Sequence, residues 1–366
     1  MYYSGENRYF RFTEGCCEAI SPHGIPVSAA VTLGSRLSSK FRRFSVGCDG
    51  FSHIHHLYAL CSGISAAGRD VYIYENTDLP SFRFGFPLLS SDCGLFISES
   101  GTLRISVFGE DRMPVSADVI AELMKSGNIP AGEKCGKIIS SGSFRTLYIV
   151  NIRERIGQGT ILNAGISCGT RSVRTLWEEL FTENDGTLSF QVSSDGQCVN
   201  AFSQRSGFIP SDKLILAYAA VKADNEGLPV PIDMHFQADE AGLNIRRTEQ
   251  SELKGLPSGS IRHLVDPLYM CAVLASDRQR FEETLSSLPQ LSASRREIPM
   301  KFRGIKPFRQ TVHCPGGVIK MTRSGLNRLS LIAQARSVEA ASELCSEWCA
   351  KLNRIADEGI DKDITI

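Results

Sequence analysis

Residues 94–116 read GLFISESGTLRISVFGEDRMPVS, and this stretch decides the fold. Cys93–Ile97 is a strand-length apolar run, Ser98-Glu99-Ser100-Gly101 is a turn-forming tetrad, and Leu103–Phe108 alternates as a strand does. The turn Gly109-Glu110-Asp111 follows, and a helix is expected from about Ser116. Working toward the N-terminus, Val71–Tyr74 and Arg43–Gly47 read as further strands. Ile54, Leu57, Tyr58, Cys61 and Ile64 recur at helical spacing between them, with Gly68 as the stop. Phe82, Phe86 and Leu89 mark a second helical stretch. Alternating strands and helices predict a mainly parallel sheet covered on both faces. Ligands of such sheets bind beyond the carboxyl ends of the strands, where the Ser98–Gly101 loop falls.

Working toward the C-terminus, residues 128–145 are rich in Gly, Ser and Lys and read as a linker. A second unit follows, with a strand at Thr160–Asn163 and a helix carrying Val173, Leu176, Trp177, Leu180 and Phe181 on one face. Leu188–Val192 and Val199–Ser203 form a hairpin pair around Ser193-Ser194-Asp195-Gly196-Gln197-Cys198, and Lys213–Lys222 is an apolar helix. Residues 228–290 repeat a reduced strand–helix pattern. The last segment, from about Arg295, has strands near Val318–Met321 and Leu329–Gln334. It closes with a helix whose apolar face is Val338, Ala341, Leu344, Cys345, Trp348 and Leu352. Four units are expected, at 1–135, 136–223, 224–292 and 293–366.

Composition narrows the function classes. The 366 residues exceed a single hydrophobic core, and 42% hydrophobic with 22% charged residues is ordinary for a soluble globular protein. Forty Lys and Arg against forty Asp and Glu give zero net charge, which removes the electrostatic argument for a nucleic-acid or anionic-membrane partner. No run approaches the ~20 apolar residues of a membrane span. The opening MYYSGENRYF lacks a basic region followed by an apolar one, so no secretory signal is expected. The twelve cysteines include no Cys-x-x-Cys pair, which points to reduced, mostly buried thiols and a cytoplasmic protein. His53, His55 and His56 lack acidic or thiol partners at metal spacing and read as a helix start, and Gly157 with Gly159 is too short for a dinucleotide fingerprint.

Five strings, in this order, resemble the phosphohexomutase superfamily of phosphoglucomutases, phosphomannomutases and phosphoglucosamine mutases. FRFTEGCCEAISP (10–22) is similar to the family's N-terminal segment, and SVGCDGFS (45–52) to its Val-Gly-x-Asp-x-Arg loop. The stretch 94–116 resembles its serine loop between two strands. Residues 187–220 resemble the metal-loop strand pair and following helix, and residues 316–348 the phosphate-binding loop and terminal helix. The resemblance implies three α/β units with mixed sheets plus a C-terminal α+β domain around a central cleft. It also implies phosphoryl transfer from a phosphoserine to a sugar phosphate, helped by a magnesium held by three aspartates. Such chemistry rests on positioning and charge neutralisation.

Carried over by position, the resemblance makes Ser100 the nucleophile, but Gly101 replaces the histidine that follows it and Glu99 occupies a usually small position. A carboxylate there repels a phosphoserine unless a cation intervenes. Of the three metal aspartates only Asp195 remains, and the following arginine is Cys198. The sugar loop becomes Gly255-Leu256-Pro257-Ser258-Gly259-Ser260, leaving Ser258 without the family's glutamate and histidine. The phosphate loop becomes Thr322-Arg323-Ser324-Gly325-Leu326-Asn327, where Arg323, Ser324 and Gly325 can still form an anion nest. Gly15-Cys16-Cys17-Glu18 and Phe51 stand where the family has basic groups, and the second and third units look trimmed.

The expectation is a degenerate, shortened phosphohexomutase-like protein, with little or no mutase activity and with phosphosugar binding retained. No cofactor is then required. An active mutase, with Ser100 as phosphoserine and magnesium on Asp195, remains open, as does a non-catalytic scaffold or regulatory subunit with a protein partner.

Overall fold

Phe44, Val46 and Cys48 are fully buried on one strand, and Val71, Leu95, Ile97, Ile105 and Val107 join them in one apolar layer. These residues lie on the first sheet of a computed structural model that describes residues 9–13, 16–20, 24–125, 132–182, 186–222, 228–230, 234–243, 245–247, 265–299, 309–323 and 328–357. The sheet comprises β1 (Phe10–Thr13), β2 (Cys16–Ala19), β3 (Arg43–Cys48), β4 (Asp70–Tyr74), β5 (Cys93–Ser100), β6 (Thr102–Gly109) and β7 (Ile138–Ser140). Its order is β1-β2-β6-β5-β3-β4-β7. Helices α1 (Val27–Leu37), α2 (Ile54–Ala66) and α4 (Ala117–Lys125) contribute to the layer just described. A smaller aromatic layer of Tyr74, Phe82, Phe86, Phe96 and Phe108 includes residues of α3 (Leu79–Gly85) and a 3-10 turn, Phe86–Leu89.

The sheet is mixed rather than mainly parallel. β3 pairs in parallel with β4 and β5, and β4 with β7, whereas β5–β6, β6–β2 and β2–β1 are antiparallel. Gly101 alone separates β5 from β6, and a parallel return needs a crossover of a dozen or more residues. The stretch read as a linker supplies β7, whose Ile138 pairs with Val71. It is followed by α5 (Arg145–Ile156), which packs on α3.

The second sheet has the order β11-β10-β9-β8, built from β8 (Gly165–Cys168), β9 (Leu188–Val192), β10 (Val199–Ser203) and β11 (Gly207–Ile209). The hairpin has the expected bounds, with Val192 opposite Val199 and Leu188 opposite Ser203. The strand placed at Thr160–Asn163 is absent: that segment makes an isolated bridge from Asn163 to Thr182, and the strand is β8. Helices α6 (Arg171–Glu178), with Val173, Leu176 and Trp177 buried, and α7 (Ser211–Val221) complete this part.

The chain divides into two units, one of residues 2–218 with 253–283 and one of 219–252 with 284–366. The first also contains α9 (Pro267–Ser276), and α10 (Arg278–Ser287) crosses the boundary in sequence. The second holds the parallel pair β12 (Leu228–Val230) and β13 (Ile245–Arg247), and α8 (His235–Glu240). It also holds an antiparallel sheet of order β14-β17-β16-β15, made of β14 (Ser292–Pro299), β15 (Arg309–Cys314), β16 (Gly317–Arg323) and β17 (Arg328–Ala335). Its terminal helix, α11 (Val338–Asp357), packs Cys345, Trp348, Cys349 and Leu352 onto Ile319, Met321, Leu331 and Ala333. Val338 does not share that face and is 67% exposed. All twelve cysteines are free thiols and eight are buried, with burial pushing Cys16 and Cys61 up to about 12. Among the described residues, no helix is long and apolar enough to cross a membrane.

Candidate functional site

The carboxyl ends of β3 and β5 meet the α2 N-terminus in the first unit. Gly101, at φ +77°, turns the chain in a single residue, and the ladder continues to Ser100 opposite Thr102. Ser100 therefore ends a strand instead of occupying an open loop, and its side chain lies outside the described set. The neighbouring Glu99 carboxylate lies 3.0 Å from Nε2 of His53, the N-cap residue of α2. A histidine thus faces the carboxylate expected to oppose a phosphoserine. His56, deeper in the same turn, is buried, with Nε2 2.6 Å from the Ile25 carbonyl; desolvation lowers its pKa.

Across β6 and β2 runs a row of paired residues, Ser98 opposite Arg104 and Arg104 opposite Glu18. Glu18 is buried and accepts from both sides: Arg11 reaches Oε2 at 2.7 Å and Arg104 reaches Oε1 at 2.9 Å. Glu18, which ends the Gly15-Cys16-Cys17-Glu18 element, is thereby neutralised by two arginines, while the buried Cys17 stands at the position expected to be basic. Phe51, at the other such position, is 64% exposed.

The Ser193–Cys198 turn joins β9 to β10 and is closed from within. The Ser193 hydroxyl donates to Asp195 Oδ1 at 2.5 Å and the Gln197 amide donates to the same oxygen at 3.0 Å. The Ser193 hydroxyl also accepts from the Cys198 amide at 2.9 Å, and the Ser193 amide donates to the Cys198 carbonyl at 2.9 Å. Gly196 sits at φ +71°, and a Cβ there would lie 2.7 Å from Pro80 Cγ, so the turn rests on α3. The Cys168 thiol, ending β8, donates to the Ser193 carbonyl at 3.5 Å. Ser172, in the first turn of α6, donates to Asp49 Oδ1 at 2.8 Å, tying α6 to the loop after β3.

Beneath this turn lies a buried polar cluster. Arg83, one helical turn after Pro80, donates from Nη1 to Gln197 Oε1, and Gln197 is only 2% exposed. Its Nη2 donates to the Arg112 carbonyl at 2.9 Å, and the guanidinium lies 5.4 Å from the Phe108 ring centroid. Desolvation pulls the Arg83 pKa down to about 10, with Asp266 the largest opposing influence and Asp195 a smaller one. Asp266 caps α9 through the Tyr269 amide at 3.1 Å and accepts from the Tyr148 hydroxyl at 2.7 Å. Burial, and next the Asp266 carboxylate, raise the Tyr148 pKa, so that hydroxyl keeps its proton.

The candidate residues are thus distributed unequally. Asp195, in the Ser193–Cys198 turn, and Ser100, at the end of β5, lie in the first unit, and Arg323 ends β16 in the second unit with its side chain outside the described set. Ser258, Ser324 and Gly325 lie outside the described residues. Sequence reasoning missed Arg83, Asp266 and Ser172. Asp266-Pro267 carried a readable N-cap and N1 signal, whereas Arg83 and Gln197 are 114 residues apart and carried none. Among the described residues, no group of three or more His, Cys, Asp or Glu side chains is arranged to hold a metal ion.

No family model matches the sequence, and no curated protein matches it by sequence. Solved structures do match. A phosphoglucomutase/phosphomannomutase family protein from Burkholderia thailandensis superposes with a TM-score of 0.71 at 14% identity, over 96% of this chain and 98% of that one. A Thermus thermophilus protein assigned as a phosphomannomutase superposes with a TM-score of 0.64 at 11% identity, over 94% of this chain and 99% of that one. The chain therefore has the phosphohexomutase fold over nearly its whole length.

Proposed function

We propose that this chain binds a phosphorylated sugar through phosphohexomutase-type loops and has little or no mutase turnover. The observation that carries the reading is the state of the Ser193–Cys198 turn. Magnesium takes oxygen ligands in near-octahedral geometry. Here Asp195 is the single carboxylate of the turn, its Oδ1 is already held by Ser193 and the Gln197 amide, and Gln197 Oε1 is engaged by Arg83. These residues do not fit the ion. Phosphoryl transfer relies on cationic neutralisation of charge at the transferring group, so losing it lowers turnover more than binding. Binding rests on Arg323 with the Ser324-Gly325 backbone, which suit a phosphate dianion, and on Ser258 as a hydroxyl partner for the sugar.

One observation favours a second reading, an active mutase with Ser100 as phosphoserine, Asp195 on magnesium, and Arg323 and Ser324 on phosphate. His53 Nε2 lies 3.0 Å from the Glu99 carboxylate, which places a hydrogen-bond partner on that carboxylate one residue from Ser100. A third reading, a scaffold or regulatory subunit, needs no sugar at all. Thermal unfolding with a panel of hexose 1- and 6-phosphates in EDTA separates binder from scaffold. A ligand at 100 times its dissociation constant stabilises by about 2.7 kcal/mol. The proposed reading expects a saturable rise with at least one phosphosugar and its loss in Arg323→Ala. An unmoved transition across the panel would leave the scaffold.

A further inference from the structure

We propose that the Arg83 guanidinium is the resident cation of the Ser193–Cys198 turn, standing where the fold would place a divalent metal, so that the turn is held in shape without one. The inference rests on the reading above of a turn that does not fit magnesium. It adds which group supplies the positive charge.

Four observations converge on Arg83. Its Nη1 takes the Gln197 side-chain oxygen, at a position where the resemblance places a metal carboxylate. The turn touches the same helix again at Pro80, which packs on Gly196. The helix itself is fixed: Asp78 Oδ1 accepts from the Ser81 amide at 2.7 Å, and Phe82, next to Arg83, is fully buried in the aromatic layer. The guanidinium is further held by the Arg112 carbonyl and stands near the counter-charges of Asp266 and Asp195. An arginine suits this role because its planar fork binds several acceptors at once, is weakly hydrated and stays charged. An entering divalent ion would meet a fixed like charge and would have to displace the hydrogen bonds on Asp195 and Gln197.

Hydrogen exchange of the Gly196, Gln197 and Cys198 amides, measured on the full chain with and without magnesium or manganese, tests the proposal. The wild type is expected to show no metal-dependent slowing. Arg83→Gln is expected to accelerate these amides about tenfold, the equivalent of one lost buried hydrogen bond, with partial recovery in Arg83→Lys. Saturable slowing by metal in the wild type would overturn the proposal, as would unchanged exchange in a folded Arg83→Gln protein. Should Arg83→Gln fail to fold, Gln197→Glu carries the same test. It gives Arg83 a charged partner and is expected to slow the amides without creating metal dependence, whereas metal-dependent slowing in that variant would overturn the assignment. The measurement uses no sugar, so a failure here is distinct from mutase turnover, which would overturn the functional reading itself.

Discussion

A guanidinium removed from water is strongly destabilising unless it is paired, and breaking a buried charge pair costs about 3–5 kcal/mol. Arg83 meets that demand by converging donors on the Gln197 side chain and the Arg112 carbonyl beside the Phe108 ring. Glu18 meets it by sitting between Arg11 and Arg104. In both places the charge is balanced locally. Gly196 is the residue that lets the turn dock on α3, since it combines a left-handed backbone with contact against a rigid proline ring. Gly196→Ala is therefore expected to destabilise the protein by about 1–3 kcal/mol, read as a lower urea midpoint, from left-handed strain plus overpacking. A midpoint equal to that of the wild type would show that the turn does not bear on Pro80.

Among elements, α3 carries the most consequence for the site, because Asp78, Pro80, Phe82 and Arg83 all belong to it or cap it. Burial raises the Asp78 carboxyl above the ordinary carboxylate range, even though the Ser81 amide and Arg145 favour the ionised form. Between the unfolded value and the raised folded value, the folded protein holds a proton that the unfolded chain has released. Asp78 consequently adds stability on the acid side, lost as pH rises from about 4 through the raised folded value. Asp78→Asn keeps a side-chain oxygen for the cap and removes the ionisation. The difference in urea midpoint between wild type and variant should shift toward the wild type on acidification, and a difference that stays constant with pH would contradict this account.

Elements also show what a sequence can and cannot display. The Leu188–Val192 and Val199–Ser203 strands were legible to the residue because their alternate positions are buried around an Asp-Gly turn. β14 was not, since Arg295, Arg296 and Glu297 lie exposed in succession and break the alternation. Thr160–Asn163 has strand-like composition, but β8, with Gly165 and Ser167, took the place beside β9. α5 was hidden because Leu147 and Val150 are exposed among its buried Tyr148, Ile149 and Ile152. In the site, the substitutions at Glu18, Glu99 and Phe51 were visible as residues. The partners of Glu18 and Glu99, namely Arg11, Arg104 and His53, are met across strands or loops rather than at a helical or strand spacing.

At the scale of the whole molecule, the superpositions leave little of either neighbour unmatched, while identity is only 14% and 11%. The same arrangement of strands and helices is thus filled by largely different residues in these proteins. The balance of forty basic against forty acidic residues conceals local events: the Ser193–Cys198 turn carries one aspartate with a guanidinium beneath it, and Glu18 is clamped by two arginines. The most direct test is coupled turnover of glucose 1-phosphate with magnesium and a hexose bisphosphate activator, comparing the wild type with Ser100→Ala. The account predicts no difference between the two proteins and no phosphate on Ser100 by intact mass. Turnover in the wild type that disappears in Ser100→Ala would contradict it.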